Sequence, residues 1–199
     1  MVYDEVERAI AKSNIAIVLI DSMCAFTTQD FRLIEEVLNQ GKGVVIAANK
    51  WDLVDTKYRA KAVKWMEKQL EKNFKFTKEI SMLFVSARSG LRSGKIMDEI
   101  LRVYEKWNTR VSTGLLNKWL NAFKKVQAMP NDKGLHLNLR FLSQISVRPP
   151  CFFLFVNRRS LLSTRFQRHL RASIVKEFGF EGVPVRLLVR DSKLVFAKG

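Results

Sequence analysis

Three short apolar runs, each leading into an amphipathic stretch of helix length, constrain what the first half of this chain can become. The strongest is Ile15–Ile20, six consecutive apolar residues. A strand with one wet face alternates apolar and polar residues. A strand without alternation belongs to a sheet covered on both faces, so Ile15–Ile20 reads as a central parallel strand. Val44–Ala48 and Met82–Val85 repeat the signal. Between them, Asp30–Asn39 places Phe31, Ile34, Val37 and Leu38 at helical spacing, with Gly41 just beyond its end. Lys57–Asn73 turns Val63, Met66 and Leu70 inward, and Gly94–Trp107 does so with Ile96, Ile100, Val103 and Tyr104. Val2–Lys12 reads as a further helix ahead of the first strand. Strand followed by helix, three times over, is the pattern of an α/β, Rossmann-like, mostly parallel sheet.

Another pattern begins near residue 109. Thr113–Val126 reads as a helix and Pro130–Gly134 as a turn cluster. Leu137–Val147 and Phe152–Val156 read as strands joined through Arg148-Pro149-Pro150. Leu161–Phe178 is helical, with Phe166, Leu170, Ile174 and Phe178 four residues apart, and Val185–Arg190 closes as a strand after the turn Gly179–Pro184. The order α-β-β-α-β is that of a small α+β domain of KH-like type. The expected division is residues 1–108 and 109–199.

The chemistry gathers where the second strand ends. Asn49-Lys50-Trp51-Asp52 follows Val44–Ala48 directly. A carboxylate such as Asp52 can accept two parallel, charge-assisted hydrogen bonds from guanine N1–H and N2–H. Adenine lacks that donor pair and would leave the carboxylate unpaired, which is a basis for discrimination. Asn49 can bridge the base edge and a neighbouring loop, and the Lys50 stem can lie along the base. A second loop, Ser86-Ala87-Arg88-Ser89-Gly90, follows the third apolar run.

With these two loops the chain resembles the translation-factor-like P-loop GTPases, whose NKxD and Ser-Ala loops hold guanine together. The resemblance implies base contacts for Asn49, Lys50, Asp52, Ser86 and Ala87, with the Ala87 N–H directed to guanine O6. Trp51, the tract Thr27-Thr28-Gln29-Asp30, and the tracts Val147-Arg148-Pro149-Pro150-Cys151-Phe152 and Glu177-Phe178-Gly179-Phe180-Glu181-Gly182-Val183-Pro184 narrow it. They resemble the C-terminal part of the Der (EngA) family, bacterial GTPases with two consecutive G domains and a KH-like tail. That resemblance implies GTP or GDP as ligand, a role in large-subunit ribosome biogenesis, and rRNA contact by the tail.

One half of a nucleotide site has no counterpart in the sequence. The phosphate loop G-x-x-x-x-G-K-[ST] is absent, and so is the Asp-x-x-Gly magnesium motif. The nearest string, Gly90-Leu91-Arg92-Ser93-Gly94-Lys95-Ile96, has three residues between its glycines and Ile where the hydroxyl belongs. Gly94 reads instead as the opening of a helix. The chain is therefore expected to be a C-terminal portion missing the N-terminal G-domain segments, inactive in GTP hydrolysis alone, with Mg2+ held only by a full-length protein. Two other readings stay open: a non-enzymatic RNA-binding protein using the partial G domain as scaffold, and an Era-like GTPase.

Charge separates the halves. Of the formal +16, residues 1–109 contribute +3 and residues 110–199 contribute +13. Such asymmetry points to a polyanion partner for the second half. Arg158, Arg159, Arg165, Arg168, Arg171 and Lys176, on the last helix and its lead-in, are the expected RNA contacts. An ordinary KH domain clamps nucleotides with a GXXG loop, which residues 110–199 lack, so phosphate contact rather than base reading is expected. Cys24 and Cys151 both read as small buried residues of a reducing, cytoplasmic compartment. His136 and His169 have no companions at ligand spacing, so no metal is expected. No apolar run reaches the roughly 18 residues of a membrane span, so no membrane partner is expected.

Overall fold

The computed structural model describes residues 2–24, 26–74, 80–132 and 134–192. Two compact units emerge, one running to Trp107 and including Glu181–Pro184, the other built on Asn108–Phe180 and the residues from Val185.

In the first unit the elements are α1 (Val2–Lys12), β1 (Ile15–Asp21), α2 (Thr28–Asn39), β2 (Gly43–Asn49), α3 (Thr56–Asn73), β3 (Ser81–Phe84) and α4 (Lys95–Trp107). The three strands are parallel in the order β1-β2-β3. Ile10, Val18, Ile20, Ile34, Val37, Ile46, Met66 and Leu70 form the core on one face of the sheet, beneath α1, α2 and α3. The opposite face, with Val45 and Ala47, receives Val103 and Trp107 of α4. That approach is close. A Cβ on Gly43 would lie 2.4 Å from Ile15 Cδ1 and 2.9 Å from Val103 Cγ1. Trp107 fixes the helix end by donating its indole N–H to the Gly41 carbonyl at 2.8 Å.

The exposure of β1 departs from expectation. Its six apolar residues read as a strand covered on both faces; among the described residues β1 is an edge, the place expected for it once a neighbouring G-domain strand is missing. Val18 and Ile20 are buried, while Ile17 and Leu19 are 47% and 63% exposed. The reason is the seat of α4, which lies mainly over β2 and leaves the β1 side of that face open. Cys24 departs as well. It is exposed in the turn after β1, where the apolar run has already ended, whereas Cys151 is buried.

Helix starts follow capping chemistry rather than apolar period. Thr27 and Asp30 close a capping box, the Thr27 hydroxyl accepting from the Asp30 N–H at 3.2 Å and the Asp30 carboxylate from the Thr27 N–H at 2.8 Å. The helix therefore opens at Thr28, three residues before Phe31, its first periodic apolar position.

The second unit contains α5 (Thr113–Val126), the two-residue strands β4 (Asn131–Asp132) and β5 (Leu135–His136), β6 (Leu139–Ser146), β7 (Cys151–Val156), α6 (Thr164–Phe178) and β8 (Arg186–Asp191). β7 lies between an antiparallel β6 and a parallel β8. Leu116 and Leu120 of α5, Leu170 and Ile174 of α6, and Leu142, Phe152, Leu154 and Leu187 of the sheet are buried. The Asn117 amide docks on β6, donating to the Leu142 carbonyl at 2.9 Å and accepting its N–H at 3.0 Å. Gln144, 4% exposed, accepts from the Val111 N–H at 2.7 Å and donates to the Thr109 carbonyl at 2.9 Å. α6 begins at Thr164, not Leu161, because Ser163 caps it through the Phe166 N–H at 3.2 Å; Arg159–Leu161 forms a separate 3₁₀ turn.

Candidate functional site

The ends of the three parallel strands meet at the two loops singled out in the sequence. In-register pairing sets Asp21 beside Asn49, and the Ser22 N–H donates to the Asn49 carbonyl at 2.9 Å. From there the Asn49 side chain reaches the Ser-Ala loop, its Oδ1 accepting the Ala87 N–H at 2.9 Å. Asn49 and Ala87 are 38 residues apart in the chain, so this bond closes the site across the sheet. The guanine role implied for the Ala87 N–H requires Asn49 to share or release that donor.

Lys50 sits in the left-handed region at φ 63°. The sharp turn it makes lets the Trp51 N–H reach the Val85 carbonyl at 3.0 Å. The Lys50 ammonium pairs with Asp21 at 2.6 Å. That bond holds the Asp21 carboxyl below its ordinary value, with the Met23 N–H at 2.9 Å adding to the effect. It holds the Lys50 ammonium above its own ordinary value. Both groups are solvent-accessible, so the pair organises the strand ends more than it stabilises the fold.

Trp51, 3% exposed, anchors the 3₁₀ turn Trp51–Leu53. Its ring lies 4.3 Å from that of Phe84, and the Arg59 guanidinium, 5.9 Å from the ring, also bonds the Trp51 and Val54 carbonyls. The turn presents Asp52 to solvent. On the other side Ser86 is fully buried, its hydroxyl accepting from the Ser89 N–H at 3.2 Å, and its own N–H donates to the Leu91 carbonyl at 3.0 Å. Ser86 thus shapes its loop, while Ala87 is exposed.

Asp21 was not among the residues singled out from the sequence. Its signal was positional: it terminates the first apolar run, and parallel register places it beside Asn49. A cavity of about 470 Å³ lies elsewhere, by the outer edge of β3, lined by Glu67, Glu71, Ser81, Glu99 and Arg102 among others. Arg102, and secondly Ser81, hold the Glu99 carboxyl below its ordinary value. None of the residues expected to contact the base lines it.

In the second unit Arg165, Arg168 and Lys176 are exposed on α6. At about 100° per residue, Arg165 and Lys176 share one azimuth opposite buried Leu170 and Ile174. Arg171 borders the buried stripe and is half-buried; burial, with Arg168 nearby, lowers its guanidinium from the ordinary value. Arg158 and Arg159 sit on the lead-in, and the Arg159 N–H is held by the Asp191 carboxylate at 2.6 Å. The six expected contacts therefore occupy two places, a helix face and a turn.

Residues 3–106 match the family model described as the elongation factor Tu GTP binding domain. The chain belongs to that family of GTP-binding domains. Residues 110–190 match the KH-domain-like C-terminal region of EngA bacterial GTPase enzymes, so this family member is an α/β partial P-loop GTPase domain followed by a KH-like α+β domain. Among curated relatives, GTPase Der of Caldicellulosiruptor saccharolyticus is 33% identical, the match covering 96% of this chain and 45% of that protein. GTPase Der of Desulfitobacterium hafniense strain DCB-2 is 34% identical, over 92% of this chain and 41% of its own. The chain thus spans less than half the length of these relatives. A solved structure of Era in complex with MgGDPNP and nucleotides 1506-1542 of 16S ribosomal RNA is 14% identical, with a TM-score of 0.42 over 93% of this chain and 68% of that one. Among the described residues no helix is long and apolar enough to cross a membrane, and no group of three or more His, Cys, Asp or Glu is placed to hold a metal.

Proposed function

We propose that this chain is the guanine-reading and rRNA-contacting portion of a GTPase of large-subunit ribosome biogenesis, cytoplasmic, with residues 1–108 as the G-domain part and 109–199 as the KH-like part. The observation that carries the reading is the bond between Asn49 and Ala87, which brings the two loops together beside the solvent-facing Asp52 carboxylate. The donor set fits a guanine base: an anionic acceptor at Asp52, an amide at Asn49, and the Ala87 N–H once Asn49 shares or releases it. Lys50 orients the strand ends through Asp21. Nothing in the sequence matches the phosphate loop or the magnesium motif. GTP or GDP would be held here through its base, and Mg2+ belongs with the motifs of a longer protein.

Phosphoryl transfer depends on phosphate positioning and charge stabilisation. The chain alone is expected to hydrolyse no GTP and to bind nucleotide no tighter than about millimolar, on the order of −4 kcal/mol. Amide NMR with millimolar GMP and AMP tests the base reading. GMP should shift the Asp52 and Ala87 resonances, and AMP should leave them unmoved. Equal shifts with both nucleotides, or none with either, would reject it. The charge of +13 on residues 110–199 also favours a second reading, an RNA-binding protein without catalysis in which the partial G domain is scaffold. GMP selectivity at Asp52 and Ala87 decides between the two.

A further inference from the structure

The β6-β7-β8 sheet has helices on one face. Leu142, Phe152, Leu154, Leu187 and Val189 point that way and are buried. The opposite face is aromatic and basic. Register aligns Phe141, Phe155 and Arg190 in one row across the three strands, and Ser143, Phe153 and Leu188 in the next. Phe141 is 42% exposed and Leu188 44%; Phe153 and Phe155 are half-buried. Ring centroids stand 6.1 Å apart for Phe141 and Phe155, and 6.2 Å for Phe153 and Phe155. The Arg190 guanidinium lies over the Phe153 ring, 4.5 Å from its centroid. No residue of these two rows is a carboxylate.

We propose that this open sheet face is a stacking platform for unpaired RNA bases, with Phe141, Phe153 and Phe155 as the rings and Arg190 as a guanidinium that stacks and meets phosphate. The inference rests on the RNA reading of the basic half and adds a surface that α6 does not supply. Every base has a π-face, so rings one strand apart accept successive bases without reading sequence. This suits a domain whose sequence has no GXXG clamp. Charge settles the occupant: neither row carries a carboxylate, a guanidinium sits among the rings, and the surrounding segment has a net charge of +13, which suits a polyanion.

The test uses the whole chain and fluorescence anisotropy. One probe is a fluorescein-labelled single-stranded RNA of about 12 nucleotides without self-complementarity; the other is its blunt duplex. Phe141→Leu with Phe155→Leu keeps apolar area at exposed positions but removes the π-faces, and thermal melting by circular dichroism checks that the fold is kept. The Leu variant should bind the single strand about 10-fold or more weakly, with its salt dependence unchanged and duplex binding unaltered. Tyr at both positions should restore binding. Leu variants that bind the single strand like the parent, or weaken single strand and duplex equally, would overturn the platform while leaving backbone RNA binding intact. A chain with no RNA affinity at low salt would overturn the platform and the RNA reading together. Self-association that vanishes on Phe155→Glu would also overturn it, since the face would then hold a second copy.

Discussion

Two side chains show how little of a residue's work is local. Asp52 stands exposed on a turn whose geometry is set by Trp51, Phe84 and Arg59. In a version of the protein joined to the phosphate-loop half of a relative, Asp52→Asn exchanges an acceptor oxygen for a donor that would face the guanine amino group. The loss should be about 3–5 kcal/mol, some 10²- to 10³-fold or more in GTP affinity. Xanthine offers a carbonyl where guanine offers its amino group, so XTP binding should rise. Competition between GTP and XTP on parent and variant measures this; an unchanged ratio removes Asp52 from base reading. Gln144 tests packing instead. Gln144→Leu strips the Val111 N–H of its acceptor in a buried setting. It should cost about 1–3 kcal/mol, seen as a lower urea midpoint at unchanged slope. Asp52 was legible in the sequence because it belongs to a spaced motif. Gln144 was not, because an amide inside a strand pattern gives no sign that its partners are Thr109 and Val111, more than 30 residues back.

At the scale of elements, periodic patterns located the helices and strands, and caps corrected their ends. Thr27, Asp55 and Ser163 open α2, α3 and α6. β1 is the instructive exception. Its apolar run reads as buried on both sides, yet Ile17 and Leu19 are exposed and, among the described residues, no strand pairs with its outer edge. Unpaired backbone groups along an apolar edge are a template for intermolecular strand pairing. The isolated chain should therefore self-associate with rising concentration, and Leu19→Glu should suppress it. Light scattering that reports a clean monomer of the parent at high concentration would refute the expectation.

For the molecule as a whole, charge placement is the governing property. If residues 110–199 neutralise about 5 phosphates, log K for rRNA should fall with log salt at a slope of roughly −4. Arg165, Arg168 and Arg171 replaced together by Ala should flatten the slope without altering sequence preference. An affinity indifferent to salt would rule out phosphate contact. Arg171 should contribute least of the three, since it borders the buried stripe of α6 and substitution there also removes packing.

The alternation of strand and helix, the change of pattern near residue 109, the charge asymmetry and the two loops at strand ends can all be read along the chain. Each is carried by neighbours in the chain, through hydrophobic period, turn residues or a spaced motif. Tertiary structure alone decided which groups those loops engage. Asn49 takes the Ala87 N–H and Lys50 takes Asp21 because parallel pairing sets three strand ends side by side. It also decided that Ile17 and Leu19 of β1 stay exposed, and that Phe141 and Phe155 come to share an open face with Arg190. The physical reason is common to all of these: strand register and helix seating are settled by contacts between residues far apart in the chain, and no local pattern encodes them.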